Sequence, residues 1–235
     1  ELLLRDIAEW AFRKAADIDA MRAKLRMTRE RFALWLSDIA SAFPSWMYIG
    51  KAEERGITIP QLERVLAFST KHMHRWFDTS SSKPLAPGAA TIHHVNDWLV
   101  MPATAERNCA FVELVAEAAQ LPRWFCCQWW GEPFVDFVGC LRAHQETRAL
   151  PANVCYWVAA FALRQHSRRE GIDGEDLAEA GFVRALRSVD GVLLSLDREA
   201  TAFARAWCCF EVLVACCDPG TLRRASRERL LLDIA

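Results

Sequence analysis

From residue 123 onward the chain alternates short apolar runs with segments of helical period, and that alternation leaves the second half few ways to fold. Residues 123–130 are apolar and stop at Gly131-Glu132-Pro133, a strand followed by a turn. Residues 134–145 space Phe134, Phe137, Val138, Leu141 and His144 as a helix does. Residues 154–163 form a second β-rich run after Pro151. Residues 175–187 are helical, with Leu177, Phe182, Val183 and Leu186 in period. A short buried strand at 191–196 lies between Asp190 and Asp197. A very apolar helix at 201–217 is broken by Asp218-Pro219-Gly220, and residues 230–234 form a last strand. Strands without clean polar alternation, in β-α-β-α-β-α-β order, predict an α/β fold: a parallel sheet flanked by helices on both faces.

The first half reads differently. Residues 1–43 contain no Gly and no Pro. Ala11, Ile18, Leu25, Phe32 and Ile39 recur seven apart, with Ile7, Met21 and Trp35 at the offset position and Lys14 and Thr28 interrupting. One helix would be about 60 Å long; a break near Asp17-Ile18-Asp19 would make a hairpin. The pattern suits helices packed on the rest of the chain or an oligomerising coiled coil. Phe43-Pro44 ends this segment, and Ile59-Pro60-Gln61 opens a helix running to about Phe77, with Pro60 where a missing N–H is harmless. Residues 79–88 are Ser- and Pro-rich. The expected organisation is therefore an all-α region at 1–78, a linker at 79–92 and an α/β domain at 93–235. Residues 108–119 are read as a short helix leading into that domain.

Composition excludes several classes. A net charge of −1 over 235 residues argues against a general nucleic-acid binder. The longest apolar runs, 152–163 and 206–217, are too short for a membrane span. The chain starts on Glu1 rather than Met, which reads as a fragment or a processed form, and shows no secretory signal at that start. All nine Cys lie at or after Cys109, whereas all five Lys lie at or before Lys83. Most Cys sit in apolar runs, three pairs are adjacent and no C-x-x-C occurs, so they read as core-filling thiols of a reducing, cytoplasmic protein without a zinc site.

Open parallel sheets bind ligands at the carboxyl ends of their strands. The segments expected there are 128–132, 164–167 and 197–199. G-x-G-x-x-G, Walker A and G-x-S-x-G motifs are absent. Glu211 stands out as the only charged residue in 206–217. A carboxylate there must be paired, reach the surface, or face a cleft with its pKa raised. A salt bridge to Arg205 or Arg164 is the plain structural reading. Trp207, one turn earlier, shares a face with Glu211 and offers a pocket wall for a sugar or a base. His144 and His166 are weaker acid–base candidates. His72, His74, His93 and His94 lack the companions a metal site needs. Arg164, Arg168 and Arg169 form a basic cluster suited to solvent or to phosphate.

Several short motifs carry a family resemblance. Trp207-Cys208-Cys209-Phe210-Glu211-Val212 resembles the W-C-x-x-E-L helix of Toll/interleukin-1 receptor (TIR) domains, and Gly191-Val192-Leu193-Leu194-Ser195-Leu196 their third hydrophobic strand. Arg123-Trp124-Phe125-Cys126-Cys127-Gln128-Trp129-Trp130-Gly131-Glu132-Pro133 resembles the opening F-V-S-H-x-W-G-E-P segment of protist and algal TIR-like domains, with Cys127 for Ser and Gln128 for His. Cys155-Tyr156-Trp157-Val158 resembles their second strand. Residues 94–104 and 111–115 resemble their lead-in. The R-D-x-x-P-G loop of animal TIR domains is missing. The resemblance covers about residues 93–235. It implies a TIR/flavodoxin-like fold and, in the members that cleave NAD, hydrolysis of the nicotinamide–ribose bond. Glu211 then takes the catalytic position, and Trp129, Trp130, Gly131 and Trp207 surround the substrate, with no cofactor or metal. It also implies self-association of the TIR-like domain as a signalling scaffold, to which the heptad pattern adds the N-terminal helices as a second contact. A nucleotide-sensing module without turnover is a third reading.

Overall fold

The computed structural model describes residues 17–167, 180–217 and 230–235. Four of the expected runs form strands of one sheet: β2 (Trp124–Cys127), β3 (Cys155–Trp157), β4 (Gly191–Leu194) and β5 (Leu231–Ile234). A two-residue strand from the first half, β1 (Ile57–Thr58), completes the order β1-β3-β2-β4-β5. β2 pairs in parallel with both β3 and β4, and β4 with β5, whereas β1 runs antiparallel to β3. The fold is thus mixed α/β with a mostly parallel sheet. The expectation of an all-α first half is corrected at Ile57–Thr58. Two residues are too few for an alternating pattern to be read, and Thr58 doubles as the cap of the next helix.

Side chains of successive strand residues face opposite sides, and each side of the sheet has its own core. Trp124, Cys126, Tyr156 and Leu193 join one cluster, together with Met21, Leu25, Phe32, Trp35, Ile39 and Leu62 from the first half. Phe125, Cys127, Trp157, Val192 and Leu194 join the other, with Phe182, Leu186, Cys208 and Ala215. The helices are α1 (residues 17–24), α2 (Arg29–Ala42), α3 (Ile59–His72), α4 (Ile92–Val95), α5 (Met101–Thr104), α6 (Phe134–Thr147), α7 (Ala159–Ala162), α8 (Gly181–Ser188) and α9 (Ala206–Cys217). α6 buries the expected stripe Phe134, Phe137, Val138, Leu141 and His144.

Between α1 and α2 the chain breaks at residues 25–28, where Arg26 takes a left-handed φ of 53° and Thr28 caps α2 by accepting from the Arg31 N–H at 3.3 Å. Thr28 supplies the cap for this break; the expected break near Asp17–Asp19 borders residues outside those described. The heptad residues Met21, Leu25, Phe32, Trp35 and Ile39 are buried in the chain's own core. Ile7, Ala11 and Lys14 lie outside the described residues. In α3, Thr58 and Gln61 form a reciprocal capping box and Pro60 occupies the first turn.

The expected helix at 108–119 is only a 3-10 turn, Phe111–Leu114. Glu113, fully buried, explains the difference. Its carboxylate accepts the N–H of Ala110 at 2.7 Å and of Ile49 at 2.8 Å, tying this turn to the first half. Arg55, equally buried, donates to the carbonyls of Ile49 and Ala162 at 2.9 and 3.2 Å. These buried polar ties, with β1, join residues 17–78 to the sheet. The run at 154–163 is strand for only three residues before α7 begins. The apolar segment at 201–217 starts as a 3-10 turn, Thr201–Ala204, before α9. No helix among the described residues is long and apolar enough to cross a membrane.

Candidate functional site

β2 ends at Cys127 and delivers Gln128, Trp129 and Trp130 beyond the sheet edge. Residues 90–93 brace this loop. Phe134 donates its N–H to the Ala90 carbonyl at 2.7 Å, and His93 its N–H to the Trp130 carbonyl at 3.2 Å. Trp129 folds back on the backbone, because a Cβ at Gly131 would stand 2.2 Å from its ring. Gly131 therefore shapes the loop and is not part of the cavity wall. β3 is followed by α7 and the loop 163–167, which Gln165 holds by donating to the carbonyls of Ala159, Ala160 and Leu163 at 3.1–3.3 Å. α9 arrives from the other side, its first turn closed by the Cys209 N–H on the Arg205 carbonyl at 3.0 Å.

These elements enclose a cavity of about 350 Å³. Its wall includes Gln128, Trp129, Trp130, Arg205, Trp207 and Glu211. Trp129, Trp130, Trp207 and Glu211 thus line one space, and Arg164 lines it too. His93 is a lining residue that sequence reasoning set aside; its ring packs on Trp130 at 5.6 Å. Its distance along the chain from β2 hid that role.

α9 buries Cys208, Glu211 and Ala215, one stripe with the carboxyl in its middle. Glu211 is 3 % exposed. Burial raises its pKa to about 8, opposed by hydrogen bonding from the Cys127 thiol and the Trp207 side chain. Among the described residues no arginine or lysine forms an ion pair with it. The expected salt bridge to Arg205 or Arg164 is absent there; Arg164 instead stands 3.6 Å from buried Glu113 and over the Tyr48 ring. Trp207 is 40 % exposed, with one flank on Phe182 at 5.2 Å.

The Cys127 and Cys208 sulfurs and a Glu211 oxygen lie within 4.8 Å of one another. Cys208 directs its S–H at the Gln128 carbonyl (3.4 Å), and Cys127 its S–H at the Cys208 carbonyl (3.5 Å). Contact with the Cys208 sulfur, and then burial, push the Cys127 thiol up, so it stays protonated. Two thiols and a carboxyl are donors a soft divalent ion accepts, one ligand short of a closed tetrahedral set.

A second carboxyl is also buried. Glu132 is buried, and burial raises its pKa to about 7, with Ser195 Oγ donating to its two oxygens at 3.0 and 3.1 Å. Gln128 is 6 % exposed, yet among the described residues neither its amide oxygen nor its amide nitrogen has a partner. The remaining candidates fall elsewhere. Asp197 accepts the Thr201 N–H at 2.6 Å, a turn contact. His166 Nε2 meets the Met101 carbonyl at 2.8 Å. His144 is on the opposite flank, between Tyr156 Oη at 3.0 Å and Asp233 Oδ2 at 2.9 Å. Arg168 and Arg169 lie outside the described residues.

Comparison with known proteins yields no match: no family model, no curated protein and no solved structure is similar to this chain.

Proposed function

We propose that this chain is a TIR-like protein that hydrolyses NAD at the nicotinamide–ribose bond, with Glu211 as its catalytic carboxyl. One observation carries the reading: Glu211 is buried, without a basic partner among the described residues, on the wall of a cavity lined by three tryptophans. The order of the four parallel strands in chain sequence, second-first-third-fourth, supports the fold part. It is the order of flavodoxin-like sheets, which bind ligands beyond the carboxyl ends of their strands.

The chemistry follows from charge. The nicotinamide ring of NAD is cationic, and it leaves as a neutral base when the C1′–N bond breaks. The electron pair goes to the ring nitrogen and positive charge spreads over C1′ and the ring oxygen of the ribose. Water then supplies hydroxide to C1′ and releases a proton. A carboxylate beside C1′ stabilises that charge, as carboxylates do in glycoside hydrolysis, and burial strengthens the effect. Burial favours the protonated acid. An incoming cationic ring favours the carboxylate, so substrate binding itself ionises Glu211. Trp129, Trp130 and Trp207 offer faces for stacking. Arg205, at the start of α9, suits the pyrophosphate, where the helix dipole adds positive potential.

The test is incubation of the purified chain with NAD while free nicotinamide is followed, beside a Glu211→Ala variant. Release by the first and not the second supports the reading; no release at high protein concentration sinks it. A second reading, a non-catalytic nucleotide-sensing module or self-associating scaffold, is favoured by Cys127 and Gln128, which stand where the resembling domains carry Ser and His. It predicts NAD binding, or assembly, without nicotinamide release.

A further inference from the structure

We infer that Gln128 selects the leaving base of the substrate by its amide, accepting a neutral carboxamide and rejecting a carboxylate. The inference rests on the reading of the cavity as an N-ribosyl hydrolase site. A buried primary amide without partners is costly: each unpaired donor or acceptor forfeits the hydrogen bond it had in water. Gln128, only 6 % exposed, lines the cavity, and among the described residues neither its Oε1 acceptor nor its Nε2 donor has a partner. The complementary ligand group presents a donor and an acceptor side by side and carries no charge.

Position decides which end of a dinucleotide meets that amide. The Gln128 carbonyl accepts the Cys208 S–H at 3.4 Å, and Cys208 is one helical turn from Glu211. Gln128 and Glu211 line the same cavity, and the Gln128 backbone is tied to the residue one turn before Glu211, so the base that meets its amide is taken to be the one that leaves. Nicotinamide offers a carboxamide, whose N–H meets Oε1 while its carbonyl accepts from Nε2. Nicotinic acid offers two acceptors and a negative charge. Its carboxylate leaves Oε1 facing another acceptor. Sites built to pair a polar group discriminate strongly against the analogue that cannot pair.

Binding of the free bases separates this inference from the hydrolysis reading. Nicotinamide, nicotinic acid and adenine are titrated into wild type, Glu211→Gln and Gln128→Leu, following tryptophan fluorescence, with thermal melting as a check on folding. Wild type and Glu211→Gln are expected to prefer nicotinamide over nicotinic acid by roughly ten-fold or more, and Gln128→Leu to lose that preference. Equal binding of the two bases by wild type, no detectable binding of either at millimolar concentration, or a preference that survives in folded Gln128→Leu would overturn the inference. So would a preference for adenine. Should Gln128→Leu fail to fold, the wild-type preference and the relative cleavage of nicotinamide and nicotinic acid dinucleotides decide alone. Selective binding of nicotinamide without release from NAD overturns the hydrolase reading and leaves Gln128 as the selector of a binding site. Release of both bases at equal rates overturns this inference and leaves the hydrolase.

Discussion

Two carboxyls, Asp233 and Glu211, sit in this fold under opposite conditions. On one flank, Asp233 of β5 accepts from Arg148 Nε at 2.6 Å and meets His144 Nε2 at 2.9 Å, while His144 Nδ1 meets Tyr156 Oη at 3.0 Å. A second contact from the Arg148 guanidinium closes the pair, and the same group lies over the Trp124 ring. Every partner belongs to the protein. At the other site, Glu211 has a thiol and an indole for company, and Gln128 on the same cavity has no partner for its amide among the described residues. Saturated polar groups hold a structure together. Unsaturated burial beside a cavity leaves interactions for a ligand to complete, and its cost falls when the ligand binds.

The comparison gives opposite pH responses. Burial raises Glu211 to about 8 and Glu132 to about 7 from an ordinary value of 4.5. Between pH 4.5 and those values the folded chain holds protons that the unfolded chain has lost. The contribution of these groups is therefore full below pH 4.5 and declines as pH rises towards 8, each tenfold change in proton affinity being worth about 1.4 kcal/mol. The partnered flank works the other way. Arg148, then His144, hold Asp233 below its ordinary value, and burial holds His144 below its own against the pull of Asp233. Their contribution is present above the unfolded values and is lost on acidification. Denaturant unfolding across pH 3–9 should show both limbs. Combining Glu132→Gln with Glu211→Gln should flatten the alkaline limb alone; an unchanged alkaline limb would refute the burial of these acids.

A smaller effect is expected from Asp233→Asn, which keeps the shape and removes the charge facing Arg148 and His144. It should cost about 1–3 kcal/mol in denaturant unfolding and weaken the acid limb. Full retention of stability would mean that β5 does not depend on this network. Smaller still in energy is Gly131→Ala. The added Cβ displaces the Trp129 ring from its position on the loop. Tryptophan emission should shift, and kcat/KM for NAD should fall roughly ten-fold, with little change in melting. An unaltered spectrum with unaltered turnover would remove Trp129 from the substrate wall.

Much of the second half was legible because its signals are local. The stripe from Phe134 to His144 buries as its spacing requires, and Glu211 was visible as one charge in an apolar helix. What escaped depends on partners distant in sequence. β1 is a strand only because β3 lies beside it. The 3-10 turn at Phe111–Leu114 replaces a helix because Glu113 commits its oxygens to Ala110 and Ile49. The heptad suits a coiled coil as well as packing on this chain's own core, and Leu25 and Trp35 are buried in that core. Gln128 reads in sequence as a departure from a His-containing pattern. Its unsatisfied amide emerges only once the cavity exists.

Nicotinamide release from NAD by three forms of the chain, wild type, Glu211→Gln and Asp233→Asn, tests the central claim most directly, with melting followed in parallel. The account predicts that Glu211→Gln loses release by roughly 100-fold or more while staying folded, and that Asp233→Asn is destabilised yet turns over NAD at close to the wild-type kcat. Equal release by wild type and Glu211→Gln, or no release by wild type at all, would contradict it.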